Sequence, residues 1–414
     1  MNTKFDAVII GAGIAGSSCA ILLARAGWKV ALVEKQTFPR RKVCGECIAA
    51  GNLPLLDALG VGDAVANAAG PHLRQFGLMR GEHTVLADLP AADHARHRWG
   101  VALGRETLDT LLLAQAAASG AAVLQPHAVQ GIHGLVGHWQ CDIRALESKE
   151  ILILHAPVVI DAHGSWETLH AGPARRRPMA SDLFAFKANF RNTALEQSVL
   201  PVLMFPGGYG GMVLADQEVA TLACCIRRDH LETLRAMHPG RSAGDAVETM
   251  LKRECHGVRS ALEAATRHDA WMAAGPLDPR IRIRPSDTVF RVGNAAGEAH
   301  PIIGEGMSMA LQSAWLLCAR LTCAGKNTGV PPAQWQARIA RQYDSDWRRM
   351  SRSRFRIASL FAHAAMRPLS AHGLMAVSQA WPGLLSLGAR WAEKAGPLVF
   401  PLSARNVTAT GATP

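Results

Sequence analysis

The sequence predicts an α/β protein: a doubly wound parallel-sheet domain, a mixed β-sheet domain inserted into it, and a helical C-terminal region. Three observations predict it. The chain opens with a buried strand, a glycine turn and a close-packed helix. Its middle turns β-rich, and a second strand, glycine loop and helix follow almost 300 residues after the first. At 414 residues, 49% hydrophobic and 19% charged, it is too long for one small module and too apolar for disorder.

In order, residues 5–10 read as a buried strand, 14–26 as a helix of small and aliphatic residues, and 28–33 as a second strand. Residues 108–118 form an alanine- and leucine-rich helix ended by Gly120, with short strands at 122–124, 151–154 and 158–160. Strand-like runs then dominate, at 183–188, 202–205, 212–214 and 220–225. A strand returns at 289–292, and Met307, Ala310, Leu311, Ala314 and Leu317 fall at helical spacing in 304–321. After Pro331-Pro332, residues 335–361 are helical and arginine-rich, and the end is apolar with prolines and glycines. The expected division is therefore 1–178, first part of the doubly wound domain; 179–275, β-sheet substrate domain; 276–325, second part; and 326–414, helical region.

Nine cysteines, an odd number, argue against a disulfide framework and for a reducing cytoplasm. The start lacks the basic and long apolar regions of a signal peptide, and no stretch is apolar enough for a transmembrane segment, so a soluble protein is expected. A net charge of +11 favours anionic partners. With two tyrosines and no basic stripe interleaved with aromatics, nucleic acid is not expected among them.

Gly11-Ala12-Gly13-Ile14-Ala15-Gly16 follows the first strand and opens the first helix, a Rossmann-like fingerprint for a dinucleotide. Gly11 permits the tight turn, Gly13 the approach of backbone to a pyrophosphate, and Gly16 close helix–strand packing, while Ile14 and Ala15 supply amides at the positive helix end. Glu34, followed by Lys35, ends the second strand, where a carboxylate accepts hydrogen bonds from an adenosine ribose. The later stretch joins Gly293-Asn294 to His300-Pro301 and to Gly304-Glu305-Gly306-Met307. A helix start there suits an anion such as a reduced flavin ring.

On these motifs, together with Cys44-Gly45-Glu46, Gly104-Arg105-Glu106 and Asp161-Ala162-His163-Gly164-Ser165, the chain resembles a flavoprotein family. That family joins aromatic-ring monooxygenases of the p-hydroxybenzoate hydroxylase type, geranylgeranyl reductases and flavin-dependent halogenases. The likeness spans about residues 5–323. It implies an FAD-binding domain with Cys44 beside the flavin, Arg105 near the flavin or its phosphates, Asn294 on the ribitol or pyrophosphate, and Pro301 beside the isoalloxazine. Residues 206–211 would lie over the flavin. The electron donor would be NAD(P)H or an external flavin reductase. Two departures stand out: Gly293-Asn294 where the family has Gly-Asp, and Ala162-His163-Gly164 where hydroxylases have Ala-Asp-Gly.

The implied function is an FAD-dependent monooxygenase that uses O2, through a flavin C4a-hydroperoxide, to hydroxylate an aromatic or polyketide-like substrate, free or tethered to a carrier protein. Alternatives are a geranylgeranyl reductase-like double-bond reductase, a flavin-dependent halogenase, for which no Trp-x-Trp-x-Ile-Pro segment is present, and a non-catalytic flavoprotein. Cys44 and Cys47 lack a matching second pair, so no metal is expected, and Glu46 is read as a polar contact in catalysis. His300 is the candidate proton relay. Phe184, Phe186, Phe205, Tyr209 and Trp271 are the candidate substrate lining. Arg348, Arg349, Arg352, Arg354 and Arg356 form a face on which an acidic protein partner could dock.

Overall fold

The structure, a computed structural model, describes residues 3–165, 177–216, 218–325 and 329–393, with side-chain surroundings up to 388. Of the apolar chain end read from the sequence, residues 394–414 lie outside the described residues. The first sheet has five parallel strands in the order Phe290–Arg291, Val158–Asp161, Ala7–Ile10, Val30–Val33 and Ala122–Leu124. Alternation divides the strand residues between two layers. Ala7, Ile9 and Leu32 pack under the helices Ile14–Arg25, Arg105–Ala118 and Gly306–Ala324. Val8, Ile10 and Val33 face Trp139, Cys141, Ile143 and Leu154 of a three-stranded antiparallel sheet. Burial on both faces is why these strands read as unbroken apolar runs.

A second, eight-stranded sheet is built on Leu183–Arg191, Val199–Phe205, Gly208–Ala215 and Val219–Arg227. It reaches past the segment 179–275: Gln75–Arg80 pairs in parallel with Val199–Phe205 and carries His83–Asp88 outside it, and Met272–Leu277 joins Leu183–Arg191. In His83–Asp88 just Val85 and Ala87 are buried, so this edge strand carries too few apolar residues to stand out in the sequence. Helices Arg228–Met237, Ala243–Glu254 and His256–Ala261 cover one face. The other face turns toward the first sheet's glycine turns and the helix Pro332–Met366, whose Ala362, Ala365 and Met366 pack against Leu183, Met204 and Tyr209. Two shorter helices, Pro368–Ala380 and Gly383–Glu393, follow, the last fixed to the edge strand where Ser386 Oγ donates to the Asp88 carbonyl at 2.7 Å.

Candidate active site

A continuous cavity of about 1210 Å³ runs between the two sheets. At one end its wall is backbone. Gly11 has φ +100°, and a Cβ there would sit 2.6 Å from the Ala162 carbonyl oxygen; a Cβ on Gly16 would lie 1.8 Å from the Gly11 carbonyl oxygen. A Cβ on Gly13 would point at Arg40 and Arg105, both 3.6 Å away. The helix Ile14–Arg25 begins without a side-chain cap and without an acid in its first turn, so its amides face the cavity as a positive end. Glu34 is buried there, accepting from the amides of Ala12 and Gln36, each at 2.8 Å.

Cations crowd this end. Arg105, buried, holds Asp109 with two hydrogen bonds of 2.9 and 2.7 Å. Arg40 lies 4.0 Å from Glu34 and 3.8 Å from Asp109, and its buried Nε has no hydrogen-bond partner. Burial, followed by the nearby Arg105 and Arg40, pulls the Lys42 ammonium down to about 8. Such a cluster, with an unsatisfied buried donor, fits a polyanion.

In the middle, the loop 293–306 supplies a second backbone wall. Gly293 and Gly304 take positive φ (+59° and +68°), and a Cβ on Gly293 would meet Ala15 Cβ at 3.0 Å. Gly306 starts the helix Gly306–Ala324, again with no acid in its first turn. Beside it, Glu305 is buried 3.6 Å from Arg354, and burial pushes its carboxyl up against that pull. Asn294 donates to Ser165 Oγ at 2.9 Å. His300 and the Tyr209 hydroxyl lie 3.3 Å apart at the cavity wall. Burial and the neighbouring His363 push His300 down to about 4, so both partners are neutral at pH 7.

Glu46, read from the sequence as a polar contact in catalysis, lines the cavity and is also bonded within the protein. It sits at φ +60°, and its carboxylate is engaged by the Lys187 ammonium, the Thr221 hydroxyl and the Arg105 amide, the last at 3.0 Å. These bonds tie the 44–47 loop to both the second sheet and the helix that carries Arg105. Cys44 lines the cavity, while burial pushes the Cys47 thiol up, keeping it protonated. Among the described residues no group of three metal-ligating side chains converges.

The FAD binding domain family matches residues 4–333. The chain belongs to this FAD-binding family. Among its relatives, menaquinone reductase of Mycolicibacterium smegmatis is 32% identical over 342 residues, 78% of this chain and 78% of that protein. Squalene monooxygenase of Rattus norvegicus is 25% identical over 336 residues, 75% of this chain. That match spans 53% of the rat protein, about half of its length. Among solved structures, the myxobacterial chondrochloren halogenase, an FAD-dependent halogenase, shares the fold with a TM-score of 0.71 at 20% identity, over 96% of this chain and 92% of that one.

As an FAD-binding protein, the chain has what the cofactor requires. The bare glycine turns, the Arg40 donor without a partner and the two uncapped helix starts fit a pyrophosphate at one end and an anionic ring at the other. Gly11, Gly13, Ile14, Ala15, Glu34, Lys35, Cys44, Arg105, Gly293, Asn294, Gly304, Gly306 and Met307 all line the one cavity, as do His300, Pro301 and Glu46. Gly16 does not; it packs under Gly11.

The substrate aromatics divide. Tyr209 and Phe186 reach the cavity wall; Phe184, Phe205 and Trp271 do not. Phe184 lies under the Arg228 guanidinium, Phe205 is in the core beneath the helical layer, and Trp271 stands edge-on to Phe186 and Phe190 while donating to Glu248 at 3.2 Å. The period of two puts Phe184 and Phe186 together on the helix-covered face with Phe205, and of these three Phe186 alone also borders the cavity. In their place the apolar chamber takes Phe76, Trp99, Val202, Ile302, Phe361 and Leu374. Arg348 and Arg354 leave the expected docking face as well: Arg348 holds Asp344 and Arg354 is buried on Gln312 and Glu305.

Proposed function

We propose that this flavoprotein is an FAD-dependent monooxygenase that hydroxylates an aromatic or polyketide-like substrate lying in the apolar chamber. The observation that carries the reading is the single cavity, in which the glycine-walled, cationic end continues without a break into a chamber lined by Phe76, Trp99, Tyr209 and Phe361. FAD supplies the redox chemistry with O2, electrons coming from NAD(P)H or a separate flavin reductase. The chain's own residues bind and orient. The helix start at Gly306 stabilises negative charge at the ring, the apolar walls exclude water, and the Tyr209–His300 pair can pass a proton at the Tyr209 oxygen. A substrate tethered to a carrier protein is compatible with the open chamber. Turnover under 18O2 tests the reading: one labelled oxygen enters the product, with the second reduced to water.

A double-bond reductase is the second reading, favoured by the likeness to menaquinone reductase through most of both chains. It predicts a product two hydrogens heavier, formed without oxygen. A halogenase is the third reading; Lys187, on the second sheet, is committed to Glu46, whereas Lys42 lines the cavity.

A further inference from the structure

We propose that the last helices form a docking surface for an anionic phospholipid bilayer, and that the substrate chamber opens into it. Residues 368–389 contain no Asp, Glu, Lys or Arg. They fold as the helix Pro368–Ala380 and the start of Gly383–Glu393, separated at Trp381-Pro382. Leu369 is 91% exposed, Trp381 72%, Val377 50% and Leu387 47%, and Leu360 on the preceding helix is 75% exposed. Large apolar side chains gathered in this way on one surface mark an interaction site. No described helix is long and apolar enough to cross a membrane, so this surface lies on a bilayer rather than spanning it.

Two further observations select a bilayer over an acidic protein. Leu360, Val377 and Leu384 are both exposed and part of the chamber wall, so the chamber's mouth lies inside the apolar face. The face is also bordered by cations: Arg349, Arg352 and Arg356 are exposed at helical spacing on the stripe that contains Leu360, and Arg367, also exposed, stands between that helix and Pro368–Ala380. An acidic protein would satisfy the arginines and leave the leucines and Trp381 in water. Lipid satisfies both, acyl chains against the apolar helices and anionic headgroups against the rim. Resting on the function proposed above, the substrate is then a membrane-dissolved lipid bearing a hydroxylatable aromatic or polyketide-like ring, which enters through this mouth without crossing water.

The test is co-sedimentation of the FAD-loaded protein with vesicles of phosphatidylcholine plus phosphatidylglycerol, and with pure phosphatidylcholine. The triple variant Leu369→Ser, Trp381→Ser, Leu387→Ser alters residues outside the chamber wall. Wild type should partition onto the mixed vesicles, at least about tenfold less onto neutral ones, and the triple variant at least about tenfold less onto either. Flavin content and melting temperature should stay at wild-type values. Undiminished vesicle binding by the variant overturns the proposal, as does absence of binding by wild type. So does a vesicle-free result in which the same substitutions abolish self-association or capture by an acidic carrier protein. Turnover under 18O2, measured on the same preparations without vesicles, judges the monooxygenase reading separately.

Discussion

The two ends of the cavity are built in opposite ways. At the glycine-walled end the wall is main chain: three glycines in six residues bring amides, carbonyls and a helix start within reach of a ligand, and side chains contribute mainly charge. At the chamber end the wall is side chain, contributed by strands near 76 and 202, by the loop at Ile302 and by helices after 357. A backbone wall tolerates almost no substitution at its glycines but needs few residues. A side-chain wall tolerates exchange at each position and depends on many. The first suits a cofactor that never changes, and the second a substrate for which related proteins differ.

The largest effect that separates the ends is expected at the joint between them. Lys187→Met leaves Glu46 as an unpaired buried carboxylate at a left-handed backbone position, and should cost about 3–5 kcal/mol in urea unfolding. The double variant Lys187→Met, Glu46→Gln should recover much of that loss. Failure to recover would mean that Glu46 is not held in place chiefly by this pair.

Next come two phenylalanines that composition alone cannot tell apart. Phe205→Ala, in the core beneath the helical layer, should cost about 3–5 kcal/mol of stability while KM for the folded fraction stays unchanged. Phe361→Ala, on the chamber wall, should raise KM with a smaller stability loss. A reversed pattern would exchange the assigned faces of the structure.

The glycine-walled end was legible in the sequence because its geometry is local. Gly11, Gly13, Gly16 and Glu34 fall within one strand–helix–strand unit, and Gly293 to Met307 within one loop. Spacing alone therefore conveys their geometry. The chamber was not legible, because a strand's period of two says that Phe184 and Phe186 share a face but not which layer covers it. That was decided by the helices at 228–261, far along the chain. Phe361 and Leu374 were hidden for the same reason, although the charge-free run from 368 to 389 was a visible signal. Glu46 was recognised as important, but its partners Lys187 and Thr221 lie on strands that nothing near Cys44 announces.

Smaller effects probe the middle of the cavity. His300 titrates near 4 when folded and near its ordinary 6.5 when unfolded, so it takes up protons more readily in the unfolded chain. Its contribution to stability is present above pH 6.5 and is lost as pH falls toward 4. The loss should be about 3 kcal/mol, and His300→Asn should flatten that part of the pH–stability curve. Tyr209→Phe, which removes the hydroxyl facing His300, should lower kcat by about fivefold with little change in FAD content, a loss of about 1 kcal/mol. No change in kcat would remove the pair from the proton path.

Whether the glycine turn at Gly11 and the glycine loop from Gly293 to Gly306 grip one FAD is decided by an equilibrium FAD titration. The titration compares wild type with Gly11→Val and Gly304→Val. Wild type should bind one FAD tightly per chain and both variants should be severely weakened, although they alter turns far apart in the sequence. A wild-type protein that takes up no FAD, or either variant binding as tightly as wild type, would contradict it.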